Sequence, residues 1–112
     1  MTETDLTIRE LRQRFADKSL SPLDYWLALE DHIAAWEPSI SALYLYDPES
    51  ARAQAKASTE RWSKGEMLGA LDGIPVTLKE LIATKGQPVP LGTKAMELIP
   101  ADADAPAAAR LR

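Results

Sequence analysis

Lys79 closes the run Asp72-Gly73-Ile74-Pro75-Val76-Thr77-Leu78-Lys79-Glu80, and its setting gives an amine a route to base chemistry. Gly-Ile-Pro-Val-Thr-Leu has the makings of a buried strand entered by a turn. A lysine ending such a strand places its amine where solvation is poor, and burial penalises the charged form. A neutral amine can accept a proton, and enzymes use lysines in this way. The competing reading is plain: a lysine at a strand end usually extends its stem and keeps its charge in water.

Other residue types offer less. His32 is the single histidine and sits beside Asp31 in a helical stretch. With no cysteine and no clustered carboxylate pair near it, it makes no metal site and reads as a partly exposed structural residue. Trp26, Trp36 and Trp62 could form a stacking platform, but helical spacing favours core packing. Gly65, Gly69 and Gly73 lack the order of a phosphate-binding loop and read as turns leading into the strand.

The segment Gly69-Ala70-Leu71-Asp72-Gly73-Ile74-Pro75-Val76-Thr77-Leu78-Lys79-Glu80, followed by Thr84-Lys85-Gly86 and Gly92-Thr93, resembles the amino-terminal part of the amidase signature family. The markers are Gly-Ile-Pro-Val, a lysine three residues later, and the downstream Thr-x-Gly and Gly-Thr. Asp104 to Arg112 is similar to the family helix that precedes its next strand. The resemblance spans about Leu6 to Arg112; the lysine segment is its specific part and the helical stretch before it is generic.

The resemblance implies a hydrolase that cleaves a carboxamide C–N bond without metal or organic cofactor. In the family a serine is the nucleophile, a second serine in a cis peptide relays its proton to the lysine, and backbone N–H groups cradle the oxyanion. Lys79 matches the family's catalytic lysine. Serine alone is a weak nucleophile near neutrality, and a lysine base is one known way of activating it. Ser19, Ser21, Ser39, Ser41, Ser50, Ser58 and Ser63 all fall at helix caps, strand starts or helix faces, none in a glycine-rich turn. The chain is therefore expected to supply the lysine alone and to be inactive by itself. Glu80 stands where the family more often has aspartate, and Thr93 where serine is also common.

Local signals place these residues on elements. Thr7-Ile8-Arg9-Glu10 reads as a capping box opening a helix near 8–17, with Ile8, Leu11 and Phe15 on one face. Ser21-Pro22 opens a second helix near 22–36, carrying Trp26, Leu29, Ile33 and Trp36, which Pro38 is expected to stop. The two are expected to form an antiparallel pair over 1–36. Ser41 to Tyr46 reads as a strand ended by Asp47-Pro48. A third helix near 48–64 follows, with Ala51, Ala55, Ser58 and Trp62 on its buried face, Lys56, Glu60 and Lys64 on the opposite one, and Gly65 as its stop. The lysine strand, an irregular loop over Ala83–Ala103 and a short helix from Ala105 to Leu111 complete the chain.

The fold class that the resemblance implies is α/β: a mixed central sheet covered by helices, with residues 37–112 contributing the first strands and helices of that core. Two strands with apolar faces and no neighbours make a poor independent domain, and an ending inside a helix leaves its last carbonyls uncapped, so the chain is expected to be the front part, roughly a quarter, of a larger protein. Hydrophobic content of 46%, charged content of 27% and the absence of cysteine are ordinary for a soluble, cytoplasmic protein. The net charge of −4 argues against a dedicated nucleic-acid binder. The start lacks the basic-then-apolar order of a signal peptide. Beside a small-molecule amidase, two alternatives stand: the amidase subunit of a tRNA-dependent amidotransferase, and a non-catalytic remnant or interaction fragment. As in some members of the resembled family, the helical pair near 8–36 is expected to offer a homodimer surface.

Overall fold

Local capping chemistry explains where each helix begins in the computed structural model, which describes residues 2–112. Met1, the first residue of the expected helical region, lies outside the described residues. After a 3-10 turn at Glu3–Asp5, α1 spans Ile8–Asp17. The Thr7 hydroxyl accepts from the Glu10 N–H at 3.3 Å, and the Glu10 carboxylate accepts from the Thr7 N–H at 2.8 Å. Lys18 ends the helix in the left-handed region, φ 63°. Helix α2 spans Pro22–Ile40, with a reciprocal cap between Ser21 and Asp24. Helix α3 spans Pro48–Lys64, capped by Asp47 accepting from the Ser50 N–H at 3.0 Å and closed by Gly65 at φ 72°. The short α4 spans Pro106–Leu111.

The chain divides into two units, Met1–Pro75 and Val76–Arg112. In the first, Leu11 and Phe15 of α1, Leu20 from the connection and Tyr25 of α2 form the buried cluster, with Leu6, Leu29, Trp62 and Ile74 packed against it. Phe15 meets Trp62 edge-on at 5.8 Å between ring centroids. Helices α2 and α3 lie alongside one another, and α1 meets α2 through the cluster of Leu11, Phe15 and Tyr25. Arg52 of α3 grips both carboxylate oxygens of Glu30 on α2, and the Thr59 hydroxyl accepts from the Leu23 N–H at 3.0 Å.

Pro38 does not stop α2, which runs on to Ile40. A proline in the last turn forfeits one hydrogen bond, and the carbonyl it would have engaged belongs to exposed Ala34, open to water. Trp36, expected in the core, is 55% exposed and lies beside His32, because the last turns of α2 outrun the buried cluster. Trp26 is buried as expected.

Neither expected strand is present among the described residues. Residues 41–46 form a bent connection in which Ser41 and Leu45 have positive φ, 51° and 52°, which breaks the extended run. Residues 74–79 carry no strand pairing. A strand is stable only against partners, and these segments have none within the described residues. The described residues are thus helix-rich, and the mixed sheet is not seen among them. In the second unit the loop after the lysine is pinned by two isolated bridges, Lys85 to Ala101 and Pro88 to Pro100. The Gly86 N–H donates to the Ala101 carbonyl, the Ala101 N–H to that of Gln87, and the Ala105 N–H to that of Ala83.

Candidate active site

Lys79 lies at the start of a turn in the second unit: its carbonyl accepts from the Ile82 N–H at 2.9 Å. Its Nζ is 3.4 Å from Oε2 of Glu80, with side chains 65% and 27% exposed. Here the expectation of a dry amine closing a buried strand is corrected. With no strand on either side to cover the segment, Val76, Thr77, Leu78 and Lys79 are all exposed. An ion pair this open contributes about 0–1 kcal/mol and leaves the ammonium solvated. Glu80 pairs with its neighbour, and its Oε1 lies 3.9 Å from where a Cβ on Gly92 would sit, so the Gly92-Thr93 motif borders this carboxylate. The Thr93 hydroxyl accepts from the Ala95 N–H at 3.1 Å, a local bond. The second unit contains no serine.

The turn leading to this segment is built very differently. In the first unit the Asp72 side chain is 2% exposed. Arg61 engages it with both arms, Nε to Oδ2 and Nη2 to Oδ1, each at 2.7 Å. The Ser58 hydroxyl donates to Oδ1 at 2.7 Å and the Leu68 N–H to Oδ2 at 3.0 Å. The Asp72 carbonyl accepts from the Trp62 indole at 3.0 Å. The Arg61 hydrogen bonds hold the Asp72 carboxyl down to about 2, against the opposing effect of burial, with Leu68 and Ser58 adding to them. Gly73 follows at φ 86°, and a Cβ there would lie 2.8 Å from both Pro22 Cγ and Ser58 Oγ.

Asp72 was visible in the motif, yet nothing local announced its role. Ser58 and Trp62 fall on the face of α3 expected to be buried, but Arg61, three residues after Ser58, belongs with them only once the turn folds back. An aspartate shortly after a helix that presents Ser-x-x-Arg-Trp is the signal that could have found the cluster.

Comparison with known proteins now defines the class. The chain belongs to the amidase family, whose profile covers residues 26–112. Among similar curated proteins is a glutamyl-tRNA(Gln) amidotransferase subunit from Geobacter metallireducens, 36% identical over 108 residues, covering 96% of this chain and 22% of the relative. The protein of the same name from Chloroflexus aurantiacus is 36% identical over 95 residues (84% of this chain, 20% of the relative). That from Streptomyces coelicolor is 35% identical over 92 residues (82% and 18%). The chain thus spans about a fifth of the length of the curated relatives it matches. No solved structure matches it. Among the described residues, no helix is long and apolar enough to cross a membrane.

Proposed function

We propose that this chain acts as the amino-terminal part of an amide-bond hydrolase, with Lys79 as the base that receives a proton from a serine relay supplied by further polypeptide. The observation that carries the reading is the family match over residues 26–112, which contains the Gly-Ile-Pro-Val-Thr-Leu-Lys segment. The reading requires a covering surface over Lys79, because burial is what disfavours the charged form of an amine. The exposed apolar side chains of Val76, Leu78 and Leu81 around it are what such a surface would bury. Residues 41–46 and 74–79, rich in strand formers and unpaired, are the segments that a mixed sheet would recruit.

The second reading, favoured by the names of the relatives, is that the amide nitrogen is passed on rather than released: the chain would belong to the amidase component of an amidotransferase acting on glutamyl-tRNA(Gln). Both readings use the same lysine. The test is a chimera in which this chain replaces the matching segment of the Geobacter metallireducens protein, assayed for ammonia released from a carboxamide. Lys79→Ala is expected to lower kcat by about 10²–10⁴-fold, the range of a general base. The isolated chain is expected to release no ammonia. An unchanged rate in the Lys79→Ala chimera would overturn the assignment.

A further inference from the structure

The turn between α3 and Gly73 is tightly tied down, yet it carries apolar side chains into water. The Glu66 N–H donates to the Arg61 carbonyl at 2.9 Å, and the Leu68 N–H to Oδ2 of Asp72 at 3.0 Å. Further along, the Asp72 N–H donates to the Gly69 carbonyl at 3.3 Å and the Ile74 N–H to that of Leu71 at 3.0 Å. Asp72 is gripped in turn by both arms of Arg61 and by Ser58. The start, crest and end of the turn are thus fastened to α3, directly or through Asp72, and all of this lies within the first unit.

Met67, Leu68 and Leu71 are nevertheless 43%, 74% and 46% exposed, and Leu68 is the most exposed large apolar side chain among the described residues. Single apolar residues at a surface are ordinary; three concentrated on one short turn point to an interaction site. A buried ion pair is a weak way to gain stability, since apolar residues of the same volume often serve as well. What the Arg61–Asp72 pair supplies here is a fixed shape. A turn ordered beforehand loses little freedom when another surface closes on it.

We propose that the Met67–Leu71 turn is a docking knob for the further polypeptide of the hydrolase, with Leu68 as the anchor that enters an apolar pocket on it. This rests on the reading of the chain as the amino-terminal part of an amidase. Length identifies the occupant: the chain spans about a fifth of its curated relatives, so most of such a protein remains to cover this unit.

The test places Leu68→Cys in the chimera with the Geobacter metallireducens protein and in the 112-residue chain, which has no cysteine of its own. The unsubstituted chimera gives the background. The added thiol is expected to react roughly tenfold or more slowly in the chimera than in the isolated chain, since a covered group reacts only through local opening. Leu68→Asp should lower the melting temperature of the chimera and leave the melt of the isolated chain unchanged. A thiol equally reactive in the two proteins would overturn the proposal, as would a Leu68→Asp chimera that melts with the unsubstituted one. So would protection in the isolated chain that grows with its concentration, because the occupant would then be a second copy. Failure of the base reading registers elsewhere: the Lys79→Ala chimera would keep its activity while the Leu68→Cys thiol stayed protected.

Discussion

Asp72 and Lys79 stand close in sequence and opposite in environment, and their chemistry diverges accordingly. Asp72 is enclosed and held by Arg61, so its charged form is favoured in the folded state. Because its folded pKa of about 2 lies below the ordinary carboxyl value of 3.8, the stabilisation is fully present above about pH 4 and is lost as pH falls toward 2. It amounts to about 2 kcal/mol by proton linkage. Thermal melts of the wild type and Asp72→Asn are therefore expected to differ by a constant amount from about pH 5 to 7 and to draw together as pH falls from about 4 toward 2. A difference that ignores pH would place the cost in packing instead. Lys79 was legible as a residue because its motif is contiguous. Its surroundings were not, because cover for a side chain comes from segments distant in sequence. Asp72 was half legible: the turn was anticipated, while its partners eleven and fourteen residues earlier were not.

At the scale of elements, what obeyed short-range rules was readable. The Thr7 and Ser21 boxes, Asp47-Pro48 and Gly65 all act within a few residues, and α1, α2 and α3 begin where those signals put them. Strand identity depends on a partner, so Ser41–Tyr46 and Ile74–Lys79 carry strand-forming residues without strand pairing. Two glycines allow a paired test of what fixes the turns. Both have positive φ, but nothing lies within 4 Å of a Cβ built on Gly65, whereas one on Gly73 meets Pro22 and Ser58. Gly65→Ala should cost about 1 kcal/mol for its backbone alone, and Gly73→Ala about 2–4 kcal/mol as overpacking is added. Denaturant melts of the two variants provide the comparison, and equal losses would mean the Gly73 contacts relax freely.

On the scale of the whole molecule, the two units differ in how much apolar surface each buries. The first has a defined cluster around Phe15, and Phe15→Ala is expected to cost about 3–5 kcal/mol in a denaturant melt. In the second, Ala108 is buried while Leu81, Leu91, Leu98 and Ile99 are exposed. Native-state exchange should then show the slowest amides in α1–α3 and fast exchange over 76–105, since few buried contacts resist local opening there. One bond within the first unit has a bearing on how it assembles. Pro22 starts α2 without a donor, and the next donor, Leu23 N–H, is met by Thr59 of another helix. The first turn of α2 is consequently finished only when α3 docks, so completion of that turn and docking of α3 should melt together. Thr59→Val, nearly the same shape without the hydroxyl, would strand that amide and lower the melting temperature of the unit, with Arg52 and Glu30 still joining the two helices.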